Sequence, residues 1–221
     1  MLINFENCIE LIKICHGKQI NKILHIGAHV GEEVKTYSDN NVREIIWFEA
    51  NETLIPELHS NINKYNIKQQ VFPIALWNEN TDLVFKVTNN FQSSSFYDLE
   101  KHSEYYPGIN VVLEKNLKVF RYDFLIDTMK LQFTDFNFIN IDTQGSELSI
   151  LKGIGDHLKQ EALYGIYLEV NNEKLYKDIP LVNEIDDFLR LHNFHRIITK
   201  WTNAGWGDAF YLKSYDNIPL I

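Results

Sequence analysis

Short apolar runs alternate along the chain with longer segments whose apolar residues recur at helical spacing. The short runs are typical of buried strands and the longer segments of amphipathic helices. We predict strands over an apolar run that begins at Lys22, and over Glu44–Ala50, Lys68–Leu76, Phe136–Ile141, Tyr164–Val170, Phe194–Lys200 and Asp208–Lys213. We predict helices over Asn4–Ile14, Glu32–Asn40, Glu52–Tyr65, Gly145–Gly153 and Leu181–His192.

This alternation is typical of an α/β fold with a mostly parallel sheet and helices on both faces. The last connection, Trp201–Gly207, is short enough for a hairpin, so the final strand should run antiparallel. Residues 78–122 break the pattern with two further strand-like runs and loops, among them Phe91–Tyr97 and the loop-like His102–Asn110. We interpret them as an insertion within a single domain of residues 1–221, which begins with a leading helix in residues 1–20. Loops at such a place usually shape substrate access.

The segment K-I-L-H-I-G-A-H-V-G at Lys22–Gly31 is the first feature that points to a ligand. A buried strand that turns at glycine into a helix is a phosphate- or nucleotide-binding unit of open α/β sheets. Gly27 suits the tight turn, and Gly31 suits a close approach of the backbone to a ligand. The spacing is G-x-x-x-G and not the dinucleotide G-x-G-x-x-G. An ordinary strand–helix turn is the structural alternative.

An acidic residue ends the second strand, E-I-I-W-F-E-A, at Glu49, 22 residues after Gly27. In a β-α-β unit this spacing places a carboxylate where it accepts hydrogen bonds from the two hydroxyls of a ribose. The alternative is a solvated glutamate at a strand end. The combination of the glycine turn and this acid favours nucleoside binding.

Several polar residues fall at the ends of predicted strands. Because ligands of open α/β sheets bind outside the carboxyl ends of the strands, we expect these residues to surround one cleft. They are Gly27, Glu49, Asp142 and Glu169, with Asp208 and the tryptophans Trp201 and Trp206 at the hairpin.

Composition narrows the function class. The net charge of −9 argues against nonspecific nucleic-acid binding, which depends on cationic residues that neutralise phosphates.

Cys8 and Cys15 lie two turns apart on the predicted first helix. Their Cα atoms would be about 10 Å apart, which is too far for a disulfide. Two reduced thiols suit a cytoplasmic protein. The first residues show neither a signal peptide nor a membrane span.

The chain resembles the FkbM family of S-adenosylmethionine-dependent methyltransferases. The resemblance runs from Lys22 to Lys213, and its most specific part is the I-D-x-x-G-x-E-x-x-x-L-x-G block from Asp142 to Gly153. The other matching motifs are H-I-G-A-H-V-G, I-W-F-E-A-N, F-P-I-A-L, Y-L-E-V-N and G-W-G-D-A-F-Y. The residue two positions before the first glycine is commonly an acid in this family, and it is His25 here.

The resemblance implies a Rossmann-like methyltransferase fold with strand order 3-2-1-4-5-7-6. It implies S-adenosylmethionine as cofactor and O-methylation of a hydroxyl on a sugar, nucleotide-sugar or glycan, or on a polyketide-type metabolite. The implied cofactor contacts are His25, Gly27, Ala28, Gly31, Glu49, Ala50, Ala75, Ser94 and Asp142. The implied substrate contacts are Ser95, Gln144, Glu169, Trp206 and Asp208.

A hydroxyl gains nucleophilicity from a base within hydrogen-bond reach, and the catalytic candidates are Asp142 first and Glu169 second. The same two carboxylates are also candidate oxygen ligands of a divalent cation, and the residue types do not choose between these roles. Structural alternatives are a helix N-cap for Asp142, ordinary loop serines at Ser94 and Ser95, and packing for Trp206. Glu147, in the first turn of the predicted helix, is interpreted as structural.

Two other function classes remain open at this stage. A nicotinamide-dependent oxidoreductase is disfavoured by the missing G-x-G-x-x-G and by the lack of a Tyr-x-x-x-Lys pair. A non-catalytic binding module is favoured only by His25. His25 and His29 flank the glycine turn without an evident acidic partner or metal spacing, which argues against a zinc site. The pattern indicates no particular oligomeric state.

Overall fold

The computed structural model describes residues 1–129 and 135–214, which form ten strands and seven α-helices. The strands are β1 (Lys22–Ile26), β2 (Glu44–Phe48), β3 (Lys68–Phe72), β4 (Ala75–Leu76), β5 (Thr81–Thr88), β6 (Val111–Phe120), β7 (Phe138–Ile141), β8 (Gly165–Asn171), β9 (Phe194–Trp201) and β10 (Trp206–Lys213). The helices are α1 (Phe5–His16), α2 (Val34–Asp39), α3 (Ile55–Ile62), α4 (His102–Tyr105), α5 (Tyr122–Met129), α6 (Glu147–Ile154) and α7 (Val182–Arg190).

Seven strands form one large sheet in the order β3-β2-β1-β7-β8-β10-β9. Counted within this sheet, the order is 3-2-1-4-5-7-6, as the family resemblance implies. Neighbouring strands pair in parallel except β10, which pairs antiparallel with both β8 and β9. The hairpin prediction for the end of the chain is therefore confirmed.

Helices cover both faces of the large sheet. Successive residues of a strand point to opposite faces, so Ile23 packs in one apolar cluster and Leu24 in the other. Helices α1, α2 and α3 contribute to the first cluster, and α5, α6 and α7 to the second. Because the central strands β1, β2, β7 and β8 are buried on both sides, they appear in the sequence as short, mostly apolar runs.

The predicted third strand, Lys68–Leu76, is two strands in the structure. It ends at Phe72, and Ala75–Leu76 then pairs with Val119–Phe120 of β6 in a separate sheet of order β4-β6-β5. Pro73 lies at the break, and a proline has no N–H to continue a ladder. The insertion thus has its own three-stranded sheet, which begins with the two-residue strand β4.

Two helical segments were missed by the sequence reasoning. Tyr122–Met129 is α5, and the loop predicted at His102–Asn110 contains the short helix α4. In α5 the buried residues Tyr122, Leu125 and Ile126 follow the i, i+3, i+4 spacing of an amphipathic helix. That spacing was present in the sequence but lay next to the β-alternation of β6.

Cys8 and Cys15 are both free, as their predicted separation requires.

In the described part of the chain, no helix combines the length and the apolar character needed to cross a bilayer.

Candidate active site

A cavity of about 490 Å³ lies at the carboxyl ends of the central strands. Its lining includes Gly27, Glu49, Asp142, Glu169 and Asp208, which the sequence placed at one sheet edge. These residues follow or end β1, β2, β7 and β8 or begin β10, so they are ordered across the sheet as β2, β1, β7, β8, β10. The cavity therefore extends across these five strands, and neighbouring strands in a sheet are about 4.8 Å apart.

The glycine turn brings two strand ends together. Gly27 has φ +83°, and a Cβ at this position would lie 1.8 Å from the backbone oxygen of Asp142. The N–H groups of Gly27 and Ala28 both donate to the carbonyl oxygen of Phe48, at 2.9 and 3.0 Å. Only glycine fits here, because any side chain would collide with the end of β7.

Glu49 holds the turn to the end of β2. Its Oε2 accepts from the backbone N–H of His29 at 2.7 Å, and its Oε1 accepts from the backbone N–H of Asn51 at 2.7 Å. Burial raises the pKa of the Glu49 carboxyl, and these two N–H donors oppose the shift. Each carboxylate oxygen keeps a further lone pair, so Glu49 is positioned to accept from a ligand as well.

Asp142 and Glu169 are joined by the amide of Gln144. Gln144 Nε2 donates to Asp142 Oδ1 at 3.1 Å and to Glu169 Oε2 at 2.8 Å. The Tyr176 hydroxyl donates to Gln144 Oε1 at 2.8 Å, which fixes the orientation of the amide. Gln144 has φ +56°, so its backbone is in the left-handed region and turns the side chain back toward the strand ends.

Burial and the charges of neighbouring carboxylates raise the pKa of Asp142 and of Glu169. Burial is the larger effect on Asp142 and, together with the charge of Asp208, raises the pKa of this carboxyl to about 6. The Asp142 side chain nevertheless faces the open cavity. Burial and then the charge of Asp142 raise the pKa of Glu169 well above its usual range. Asp142 is therefore mostly ionised at neutral pH and close to its pKa.

Glu147 anchors the loop between β7 and α6. Its Oε1 accepts from the backbone N–H of Thr143 at 2.9 Å, from the Thr143 hydroxyl at 3.0 Å and from the N–H of Gly145 at 3.3 Å. Burial raises the pKa of Glu147 to about 7. These contacts agree with its interpretation as a structural residue. The N-cap of α6 is Ser146 and not Asp142, which removes the N-cap alternative for Asp142.

Asp208 lies directly opposite Glu169 in the antiparallel pairing of β10 with β8. Its Oδ2 accepts from the Tyr167 hydroxyl and from the backbone N–H of Leu2. Trp206, two residues earlier, lines the cavity, and its Nε1 donates to the Tyr106 hydroxyl at 3.0 Å. Trp201 lies outside the cavity lining, and its side chain is partly exposed.

The two histidines of the glycine turn have different environments. His25 lines the cavity but is buried against Trp47, and its Nδ1 lies 3.1 Å from the Tyr37 hydroxyl. Burial lowers the pKa of His25 to about 3, so the ring is neutral. His29 does have an acidic partner, contrary to the sequence interpretation. Its Nδ1 lies 2.9 Å from Glu32 Oε1, and this contact raises the pKa of His29.

Three predicted contact residues lie outside the cavity lining, namely Ala28, Gly31 and Ser95. A Cβ at Gly31 would meet Leu58 at 2.8 Å and Ile62 at 2.9 Å, so this glycine admits helix α3. Ser95 is buried, and its hydroxyl donates to the backbone oxygen of Gln144 at 2.7 Å. The remaining predicted contacts line the cavity: Ala50, Ala75, Ser94 and Gln144, with those named above.

The insertion supplies cavity residues that the sequence reasoning did not identify. His102 in α4 is buried, its Nε2 lies 3.2 Å from the Ser93 hydroxyl, and its ring lies 4.9 Å from that of Tyr106. His102, Ser93 and Tyr106 all line the cavity. A buried histidine and serine in a polar loop were the available signal, but neither has a characteristic spacing in the sequence.

Several cavity residues carry polar atoms that the protein leaves without a partner. They are Asn51 Nδ2, His102 Nδ1, Asn140 Oδ1 and Ser146 Oγ, each on a buried residue of the cavity lining. Most buried polar atoms in proteins are hydrogen-bonded, so unpaired atoms around one cavity indicate a polar ligand. Within residues 1–129 and 135–214, no group of three or more His, Cys, Asp or Glu side chains is arranged to hold a metal ion.

Comparison with known proteins identifies the family. The model of the methyltransferase FkbM domain matches residues 25–196, which include Gly27, Glu49, Asp142 and Glu169, while Asp208 lies beyond the match. The chain belongs to the FkbM methyltransferase family. It is therefore an S-adenosylmethionine-dependent methyltransferase, and the nicotinamide alternative is set aside. No curated protein matches the chain significantly.

Solved structures share the fold of this FkbM methyltransferase. M. capricolum TrmK in complex with S-adenosylhomocysteine has a TM-score of 0.51 at 9% identity, over 96% of this chain and 69% of that one. Magnesium protoporphyrin IX methyltransferase from Synechocystis with bound S-adenosylmethionine has a TM-score of 0.50 at 10% identity, over 95% and 77%. The ribosomal protein L11 methylase of Lactobacillus delbrueckii subsp. bulgaricus has a TM-score of 0.50 at 11% identity, over 96% and 79%.

The cavity of this FkbM methyltransferase fits its cofactor. Glu49 presents a carboxylate to the cavity at the end of β2, where a ribose is bound in related α/β sheets. The unpaired atoms of Asn51, Asn140 and Ser146 offer both donor and acceptor groups to an adenosyl or methionine moiety. Asp142, between them at the end of β7, supplies the negative charge that a sulfonium favours.

Proposed function

We propose that this methyltransferase transfers the methyl group of S-adenosylmethionine to a hydroxyl of a carbohydrate, that is, a sugar, nucleotide-sugar or glycan. The observation that carries the proposal is the group of Asp142, Gln144 and Glu169 beside the wall formed by Trp206 and Tyr106. Carboxylates and amides match the hydroxyls of a sugar, and an aromatic ring matches its apolar face.

The cofactor lies, in this proposal, along the β2 and β1 ends of the cavity. Glu49 binds the ribose hydroxyls, and Gly27 lets the chain turn tightly beside the adenosyl group. The acceptor then occupies the other end, near Glu169, Asp208 and Trp206. Asp142 stands between the two ligands because β7 lies between β1 and β8 in the sheet.

Bound S-adenosylmethionine supplies an electrophilic methyl group on sulfur, and S-adenosylhomocysteine is the leaving product. Asp142 acts as the base that takes the proton of the acceptor hydroxyl while the oxygen bonds to the methyl carbon. Its pKa of about 6 suits this role, since a base with a pKa near the working pH is most effective. Glu169, whose pKa is raised by burial and then by the charge of Asp142, is a second hydrogen-bonding group for the acceptor.

Positioning is the second contribution of the site. Methyl transfer is an in-line displacement, and alignment of two bound reactants lowers the barrier by roughly 7–11 kcal/mol in the best cases. The Tyr176–Gln144 hydrogen bond and the Glu147 contacts hold the loop that carries the base.

We infer in addition that the enzyme works in the cytoplasm, where free thiols such as Cys8 stay reduced, and that it acts on no nucleic acid.

The test uses methyl-labelled S-adenosylmethionine with a panel of mono- and oligosaccharides and nucleotide-sugars, and with hydroxylated polyketides as a second panel. We expect label on a carbohydrate oxygen, located by mass spectrometry and NMR, and a loss of turnover of about 10²–10⁴ in Asp142→Asn. Label on polyketide hydroxyls only would contradict the carbohydrate acceptor. Label that appears equally with Asp142→Asn would contradict the assignment of the base.

A further inference from the structure

The charge of the cavity limits what its acceptor can be. Six carboxylates line the cavity: Glu32, Glu33, Glu49, Asp142, Glu169 and Asp208. In the part of the chain that the structure describes, no lysine or arginine side chain lines it. Proteins bind phosphate and carboxylate groups mainly through arginine, lysine or exposed backbone N–H groups. An anionic acceptor would therefore meet several carboxylates, while the positive groups of the described lining are the Met1 amino group and the His29 ring, which pairs with Glu32.

The acids at the acceptor end are buried without a counter-ion. Glu169 is 6% exposed and Asp208 is 5% exposed, and neither forms an ion pair with a described residue. Their hydrogen-bond partners are neutral, namely the Gln144 amide, the Tyr167 hydroxyl and the backbone N–H of Leu2. The amino group of Met1 lowers the pKa of Asp142, but by less than the charge of Asp208 raises it. Buried carboxylates of this kind are stabilised by a cation.

The surrounding groups also suit a cation with hydroxyls. Trp206 and Asp208 are two residues apart in β10 and project to the same side of the sheet, so an aromatic ring stands beside a carboxylate. Aromatic rings attract cations as well as the apolar faces of sugars. His102 also lines the cavity and is 3% exposed. Its Nδ1 atom has no hydrogen-bond partner in the protein and is a further polar group for a ligand.

We propose that the acceptor binds as a cation: a hydroxyl compound of the amino-sugar class, whose ammonium lies between Glu169 and Asp208. Nucleotide-sugars, phosphorylated sugars and sugar acids are excluded by the same charges. This inference rests on the proposed function and narrows its acceptor. The ammonium is held by carboxylates and is not methylated, because the base Asp142 faces a hydroxyl.

The experiment is a calorimetric titration of the full chain, first saturated with S-adenosylhomocysteine. The probes are glucosamine, glucose and glucose 6-phosphate, which differ by one charged group. We expect glucosamine to bind at least about tenfold more tightly than glucose, as for a charge-assisted hydrogen bond, and glucose 6-phosphate to give no heat. Asp208→Asn should remove the preference for the amine. Asp82→Asn, an exposed carboxylate of β5, should retain it.

Glu169→Gln serves as a second variant. It is needed because Asp208 also accepts a hydrogen bond from the Tyr167 hydroxyl, so that replacing Asp208 can disturb folding. Equal affinities, tighter binding of glucose or glucose 6-phosphate, or no binding by any of the three probes at tens of millimolar would overturn the inference. A wild-type protein that fails to bind S-adenosylhomocysteine in the first titration overturns the proposed function as well. Cofactor binding with methylation of a phosphorylated sugar overturns the charge inference alone.

Discussion

Asp142 and Glu169, at neighbouring strands of the sheet, share the single side-chain amide of Gln144. One amide NH2 group, held by the Tyr176 hydroxyl through the amide oxygen, therefore sets the relative position of the two acids. The shared donor lowers the pKa of both carboxyls. Burial raises it in both, helped by the charge of Asp208 at Asp142 and by the charge of Asp142 at Glu169. The titration of each acid therefore depends on the position of this amide.

Loss of the shared amide should raise the pKa of Asp142 above about 6. Gln144→Asn is the suitable variant, because asparagine tolerates the left-handed backbone at φ +56° but its side chain is too short to reach both acids. The measurement is an NMR titration of carbon-labelled carboxyl groups. Asp123, which is bound by Arg121 and distant in sequence, should titrate as before. An unchanged Asp142 titration would show that Gln144 does not control the pair.

Glu49→Gln should weaken binding of S-adenosylhomocysteine by roughly tenfold to a hundredfold. A charged acceptor of the ribose hydroxyls is lost, and such hydrogen bonds contribute about 1.5–3 kcal/mol. Calorimetric titration measures the change. Glu57→Gln, an exposed position on α3, is the matched control and should bind like the parent. Equal affinity of the Glu49 variant and the parent would contradict the ribose assignment.

Gly27→Ala should destabilise the fold by about 3 kcal/mol or more. The new Cβ would lie 1.8 Å from the backbone oxygen of Asp142, at a residue with φ +83°. Urea denaturation of the variant and the parent gives the free energy of unfolding. Gly108→Ala is the control, because a Cβ there meets no atom within 4 Å. Comparable losses in both variants would mean that the approach of β1 to β7 is not the cause.

Glu147 should make the protein less stable as the pH rises. Its pKa is raised from 4.5 to about 7 by burial, so the folded state binds the proton more tightly than the unfolded chain does. The stabilisation is complete below the unfolded pKa and is lost as the pH rises through about 7. Its size is roughly 2–3 kcal/mol.

Glu147→Gln tests this directly, since glutamine keeps an acceptor for Thr143 but does not ionise. Unfolding free energies at pH 5 and pH 8 should show the variant gaining on the parent at the higher pH. A difference that stays constant between the two values would contradict the buried ionisation of Glu147.

The strand ends could be predicted from the sequence because local pattern determines them. Ile23 and Leu24 both belong to a short buried run, and the position of Gly27 and Glu49 after such runs follows from the β-α-β spacing. The break at Pro73 was also readable, since proline interrupts a ladder. Gly31 shows the limit, because a glycine that admits Leu58 and Ile62 has the same sequence signal as one that admits a ligand.

The remaining site residues depend on contacts between distant segments. Ser93 and His102 reach the cavity only because the insertion folds over the sheet edge. The Gln144 amide reaches Glu169, which is 25 residues away in sequence. His29 is an exception, because its partner Glu32 is only three residues away, a local contact that the sequence interpretation missed.

The most direct test is a crystal structure of the protein with S-adenosylhomocysteine. We predict the ligand in the cavity at the carboxyl ends of β1, β2 and β7, with both ribose hydroxyls within hydrogen-bond distance of Glu49 and the sulfur facing Asp142. A ligand bound elsewhere on the chain, or one whose ribose lies away from Glu49 while another residue holds its hydroxyls, would contradict the proposed cofactor site.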